Sequence, residues 1–325
     1  MQRPAARLIV LALPGEKTLS EDIARAIDQK KNGQFVVFFG RQAFIDAARV
    51  AGFQADSFIN THAGDNSTLL CGPDGVQALP TDPVAGMIGL WTWTGEFVSA
   101  CTRLGKMPAM YQSFSVPGAR ERAKRLENLK FHPEIPHEMA PLAVGNEYLA
   151  DLRKEVQALG THQIGEIRKV AHLGSLARET GHSAYCFVTG HAIRDHVDVP
   201  HAPAIFKKIS EGWGTLPKDA RIGPGDVIFF VGYDCTFGPT AELRKQGVTL
   251  AWSFASYIDT VPRPEMERDI GKDEVFIDQG WGFGDAVAAI PGYDIKILPT
   301  SGILAETVLW MASAEAMALS PVRKE

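Results

Sequence analysis

Cysteine is scarce in this chain, four in 325 residues. Cys71, Cys101, Cys186 and Cys235 lie far apart and none forms a CxxC pair. A disulfide framework is therefore not expected, and a reducing compartment is. Basic clusters are also lacking: the net charge is −5, and no Lys/Arg block exceeds three residues. That argues against nucleic acid or an anionic membrane as the main partner. Long hydrophobic runs are missing too. Leu8–Leu13 is only six residues, too short for a signal core followed by a cleavage site. No stretch approaches the roughly eighteen consecutive apolar residues of a membrane helix. The expected location is cytoplasmic.

The common nucleotide and hydrolase fingerprints are absent as well. No GxGxxG follows the first strand of either half, so no dinucleotide cofactor is expected. There is no P-loop for an ATPase and no GxSxG elbow for a hydrolase. No cofactor is called for.

What is present is a globular composition, 45% apolar and 22% charged, enough for one large domain or two. Short continuous apolar runs recur: "QFVVFFG" (34–40), "GMIGLW" (86–91), "MPAMYQSF" (107–114), "AYCFVTG" (184–190), "DVIFFVG" (226–232), "VTLAWSF" (248–254) and "DEVFID" (273–278). Runs without alternation predict strands buried on both faces, as in a parallel sheet. Between them lie helical patterns. Residues 20–31 open with "SEDIARAI", a capping-type start, and residues 97–105 end on glycine. Residues 146–179 carry leucine, isoleucine and valine at three- to five-residue intervals, an amphipathic helical face. Alternating strand and helix predicts an α/β fold with parallel sheets.

The two halves also look alike. "GMIGLWTWTGEFVSACTRLGKMPAMYQSF" aligns with "DVIFFVGYDCTFGPTAELRKQGVTLAWSF", Gly105 falling on Gly247 and Thr94 on Thr236. Both read as strand, Thr/Gly loop, helix, glycine, strand, an internal repeat of domain size. Between the copies, residues 130–143 hold Pro133, Pro136 and Pro141, which exclude regular structure there. The expected domains are 1–140 and 141–325.

In such sheets ligands bind beyond the carboxyl ends of the strands. The candidate loops are Thr92, Thr94, Gly95 and Glu96 after "GLW"; Thr189, Gly190 and His191 after "YCFV"; and Thr236, Gly238 and Thr240 after "FFVG". Hydroxyls and free amides at a helix start suit an anion. Thr94 equally suits an ordinary helix cap, and Trp91 and Trp93 suit either core packing or sugar stacking. The stretch 189–203 is dense in ionisable groups, with His191, Arg194, Asp195, His196, Asp198 and His201. It reads as a pocket loop, a plain surface loop, or a zinc or manganese site without a strong zinc signature. "WGFGDAV" (281–287) reads as a lid or a subunit contact.

The unit "GMIGLWTWTGEFVSACTRLGKMPAMYQSF" resembles the sugar isomerase (SIS) domain, where a Ser/Thr-Gly loop joins strand to helix and a "GK-P" turn leads into the next strand. "GDVIFFVGYDCTFGPTAELRKQGVTLAWSF" resembles it too. "WGFGDAVAAIPGYDIKILPTSGILAETVLWM" is similar to the end of such a protein, with Thr300 and Ser301 opening a last helix. The resemblance implies a three-layer flavodoxin-like fold in two tandem units, a sugar phosphate ligand and a homodimer. The leading reading is an aldose–ketose isomerase, with Glu96 or Glu306 as the candidate base and His191 as the candidate ring-opening acid. Glu96 equally suits the first turn of a helix, where an acid is favoured. The alternatives are a catalytically inactive phosphosugar sensor or scaffold, and a metal-dependent enzyme built on residues 189–203.

Overall fold

The computed structural model describes residues 9–64, 68–71, 77–134, 136–189, 205–209, 215–233, 236, 238–256 and 269–319. The described chain falls into two compact units that divide between Leu90 and Trp91. The proline-bearing segment 130–143 lies inside the second unit.

The first unit carries a parallel sheet of β1 (Ile9–Ala12), β2 (Phe35–Gly40) and β3 (Ser57–Asn60), with β2 central. Helices α1 (Leu19–Lys31) and α2 (Gln42–Val50) connect them. β2 is buried along almost its whole length, which is why its sequence is apolar without alternation. Val36 and Phe38 pack with Ile23 and Ala26 of α1 and with Phe44, Ile45 and Ala48 of α2. Each such buried valine, isoleucine or phenylalanine contributes about 1.5–3 kcal/mol relative to exposure. A short antiparallel pair follows, β4 (Thr68–Cys71) with β5 (Gln77–Pro80).

The next element corrects the sequence reading. "GMIGLW" is not a strand and "WTWTGEF" is not a loop: both lie within one helix, α3 (Asp82–Arg103). Asp82 and Pro83 occupy its first turn, where an acid and a proline both favour initiation. Its apolar run is as compatible with a buried helix as with a buried strand. "MPAMYQSF" is not a strand either. Pro108 makes only an isolated bridge to Phe131, because proline lacks the amide a ladder needs. The aligned stretches therefore fold differently, although Gly105 and Gly247 both take the left-handed conformation.

The second unit contains α4 (Ala119–Leu126), α5 (Ala143–Ala158) and α6 (Ile164–Glu179). α5 and α6 are joined by a single π turn at Leu159–Gln163, so the long helical pattern is one rod with a local widening. Gly160 and Thr161, weak helix formers, sit there. Gln163 at its end accepts a hydrogen bond from the Asp278 amide at 3.2 Å.

Five parallel strands follow: β6 (Ala184–Val188), β7 (Lys207–Lys208), β8 (Val227–Val231), β9 (Thr249–Phe254) and β10 (Val275–Asp278). Their spatial order is β7-β6-β8-β9-β10, the flavodoxin-like doubly wound arrangement with its switch point between β6 and β8. The sheet is covered on both faces. Phe230 packs with Leu243 of α7 (Thr240–Lys245). Phe229, its neighbour on the other face, meets Phe206, which fills the space left by Gly174 of α6. A Cβ at Gly174 would lie 2.7 Å from the Phe206 ring.

The last helix, α8 (Ser301–Leu319), is apolar on all sides. By length and composition it could cross a membrane, which the short apolar runs of the sequence did not lead one to expect. Here Ile303, Leu304, Val308, Leu309 and Ala312 are buried, and Ser175 of α6 donates to the Ala316 carbonyl at 3.1 Å. A helix that is apolar all round suits a core position.

Candidate functional site

The carboxyl ends of β8 and β10 are followed by Tyr233 and by the segment from Gln279 to Val287. Both lead to one buried group, Asp285. Its Oδ1 accepts from the amides of Thr300 at 3.1 Å and Ser301 at 3.0 Å. Its Oδ2 accepts from the hydroxyls of Ser301 at 2.6 Å and Tyr233 at 3.0 Å. The Tyr233 oxygen lies 2.8 Å from Ser113 Oγ, extending the chain of hydroxyls. Asp285 has φ +48°, a left-handed conformation that Asp tolerates better than most residues. Burial pushes its carboxyl up, against the four donors that favour the charged form.

Asp285 thereby caps α8 from outside the helix. The Thr300 carbonyl accepts the first helical bond, from Leu304, so Thr300 is the N-cap residue. Such a threonine normally turns its hydroxyl onto a free amide of the first turn. Thr300 does not: its Oγ1 is buried and has no well-formed hydrogen bond among the described residues. It faces Glu155 of α5, whose Oε2 is likewise buried and unpartnered by hydrogen-bond geometry.

Glu155 lines a cavity of 380 Å³. Asp151 and Lys154 of α5 share its wall with Phe283, Val287 and Lys296. Glu147, Asp151 and Glu155 repeat every four residues, so one face of α5 is acidic. Glu147 uses its carboxylate on the Ala289 amide at 3.1 Å. Glu155 is pushed up to about 7, first by burial and then by the charges of Asp285 and Asp151, while the nearby Thr300 hydroxyl pulls the other way. It is a carboxyl that exchanges its proton near neutral pH. Tyr148, about two helical turns before Glu155 on α5, is fully buried and donates to the Pro299 carbonyl at 3.2 Å.

The other residues singled out in the sequence are distributed more widely. Glu96 lies inside α3 and holds the start of α5, accepting from the Leu142 amide at 2.7 Å and the Gly145 amide at 2.8 Å. Thr92, Thr94 and Gly95 are helical, not part of a loop. Gly95 packs so tightly that a Cβ would lie 2.9 Å from Leu298. Trp93 stacks on Phe97 at 5.4 Å, and Trp91 is half-buried.

Thr189 directly follows β6, its amide bonded to the Val231 carbonyl at 2.9 Å. Gly190, His191 and the rest of the histidine-bearing stretch lie outside the described residues. Thr236 accepts from the Asp269 amide at 3.0 Å, and Thr240 donates to the Asp269 carboxylate, which also receives Arg244 at 2.7 Å. Gly238 beside them has φ +90°. Glu306 is fully buried in α8 and accepts from the Trp310 indole at 3.0 Å. The cavity is therefore built by Glu155, which was not singled out, near Thr300 and Ser301, which were. No group of three His, Cys, Asp or Glu side chains suited to a metal occurs among the described residues.

No protein-family model matches the chain, and no curated protein matches it. Among solved structures it is similar to the C-terminal domain of glucosamine-fructose-6-phosphate aminotransferase from Francisella tularensis. The identity is 11% and the TM-score 0.49, over 98% of this chain and 73% of that one. Likeness at that level assigns no activity.

Proposed function

We propose that the chain binds a sugar phosphate, or a related small anionic carbohydrate, in the cavity beside Glu155, and that Glu155 carries the proton in an aldose–ketose isomerisation. One observation carries this reading. A half-buried carboxylate that titrates near neutrality lines a 380 Å³ cavity together with two lysines. The reaction moves a proton between neighbouring sugar carbons, so its base must gain and lose that proton at working pH. An ordinary glutamate stays ionised throughout. A cavity of this size falls in the usual range for small-molecule sites, about 300–1,000 Å³. Lys296 and Lys154 offer positive charge for a phosphate, Lys154 sharing its ammonium with Asp151 at 2.7 Å. The C-terminal stretch that resembles the sugar isomerase domain also supplies Phe283, Val287 and Lys296 to the cavity wall.

Calorimetric titration with fructose 6-phosphate, glucose 6-phosphate and inorganic phosphate tests it. The expected result is saturable binding of a sugar phosphate, with a dissociation constant between about 1 μM and 1 mM. Lys296→Ala weakens it roughly tenfold, about 1.4 kcal/mol. In heavy water, deuterium enters carbon 2 of glucose 6-phosphate and carbon 1 of fructose 6-phosphate, and Glu155→Gln abolishes that exchange while binding persists. Absence of saturable binding by all three compounds rules the reading out. Binding without exchange identifies a phosphosugar-binding protein that is not an isomerase.

A further inference from the structure

The amides at the start of α8 do not need the Thr300 hydroxyl, because Asp285 has taken its place. Asp285 Oδ1 accepts from both Thr300 N and Ser301 N, at 3.1 and 3.0 Å. Thr300 is 1% exposed, and its Oγ1 has no hydrogen-bond partner of good geometry among the described residues. A buried hydroxyl left unsatisfied costs about 1–3 kcal/mol, so its retention calls for a reason. Glu155 is the carboxyl beside it, and Glu155 Oε2 is likewise buried with no hydrogen-bond partner of good geometry among the described residues.

We infer that Thr300 is a positioning residue for Glu155: its hydroxyl holds Oε2 from behind and leaves the rest of the carboxyl directed at the cavity. A hydroxyl is suited to this because it is both donor and acceptor. When Glu155 is ionised, Thr300 donates to Oε2. When Oε2 carries the proton, Glu155 donates to Thr300. A partner of that kind serves a group that changes protonation state, whereas an amide or ammonium serves only the ionised form. Asp285 is what makes the hydroxyl available, so the capping bond and the proton-carrying group are linked through one residue. The role as positioning residue rests on the proposed function of Glu155; the pairing of these two buried oxygens does not depend on a ligand.

The groups that act on Glu155 are few. Burial, Asp285 and Asp151 raise its proton affinity, and Thr300 lowers it. Lys154 and Lys296 line the same cavity, and Tyr148 is the nearby phenol of α5.

The test is the titration midpoint of Glu155 in the ligand-free protein, followed by carboxyl carbon-13 NMR and assigned by the signal that Glu155→Gln removes. Thr300→Val and Thr300→Ala remove the donor and should raise the midpoint by roughly one pH unit. Thr300→Ser keeps the hydroxyl and should leave it near its original value. Thr300→Val, which fills the same space but loses the bond to Glu155, should stay folded and melt a few degrees lower, the worth of one hydrogen bond. An unchanged midpoint in both Val and Ala, or an equal rise in Ser, overturns the inference. If sugar phosphates fail to bind but the midpoint moves as described, the proposed function falls and the contact stands. If they bind and exchange but the midpoint does not move, the reverse holds.

Discussion

The Glu96 carboxylate caps helix α5 at Gly145: its Oε1 takes the Gly145 amide at 2.8 Å, and its Oε2 takes the Leu142 amide at 2.7 Å. Both oxygens are thus committed to a helix start that has no capping side chain of its own. A Cβ at Gly145 would lie 3.1 Å from Glu96 Oε1 and 3.2 Å from Thr92, so the glycine is what admits the carboxylate.

Glu96→Ala should therefore cost about 1–2 kcal/mol of stability, the usual range for a lost cap. Glu96→Gln should cost less, since the amide keeps one acceptor. Urea unfolding measures both. Sugar exchange should persist in Glu96→Gln; a folded variant without exchange would return Glu96 to the role of base.

Asp285 holds four donors from three residues: the amides of Thr300 and Ser301, the Ser301 hydroxyl and the Tyr233 hydroxyl. Asp285→Ala leaves them unpaired in a buried site and should cost roughly 3 kcal/mol or more. Asp285→Asn keeps an acceptor oxygen and tolerates the left-handed backbone, so it should cost distinctly less. Equal losses for the two would mean that the negative charge, not the hydrogen bonding, holds the start of α8.

Glu155 makes stability fall as pH rises. Its midpoint is raised from 4.5 to about 7 by burial, so between those values the folded protein binds more proton than the unfolded chain. The penalty of ionising it is absent below about pH 4.5 and complete above about pH 7. Glu155 is partly exposed, so solvent screening reduces the effect to about 1–2 kcal/mol. Glu155→Gln should thus stabilise the protein by that amount at pH 8 and have little effect at pH 4.5. A stabilisation independent of pH would show that Glu155 is not titrating in this window.

The strands that were legible in the sequence are those buried on both faces. "FVVFFG", "AYCFV", "VIFFV" and "TLAWSF" are β-branched and aromatic, and each is a strand. "GMIGLW" has the same apolarity but only one β-branched residue, and it is preceded by Asp82-Pro83, a helix start. Periodicity alone does not separate the two cases. The site was less legible because its chemistry is made by contacts distant in sequence. Thr300 and Ser301 were visible at a helix opening. Glu155 looks like any acid on an amphipathic helix until Asp285 and burial act on it. Asp285 itself lies in "WGFGDAV", where two glycines and an aspartate signal an irregular backbone without indicating what it caps.

Arg122 offers a prediction outside the cavity. On α4 it sends Nε and Nη2 to the two oxygens of Asp294, both at 2.7 Å, Nη2 also to the Tyr293 hydroxyl at 3.0 Å, and Nη1 to the Met110 carbonyl at 2.8 Å. One planar guanidinium therefore joins three segments, and Arg122 is 7% exposed. A lysine has a single nitrogen and cannot reproduce the paired contact with Asp294 while reaching Met110. Arg122→Lys should cost about 2–3 kcal/mol, the loss of two charge-assisted bonds partly offset by the remaining charge. The Arg122 hydrogen bonds hold the Asp294 carboxyl below its ordinary 3.8. A lowered carboxyl contributes stability above the unfolded value and loses it as pH falls through the folded one. The gap between wild type and Arg122→Lys should therefore be full at pH 6 and narrow below about pH 3.8. A gap that stays constant down to pH 2.5 would mean that the arginine acts through its packing and its bond to Met110, with the ion pair contributing nothing.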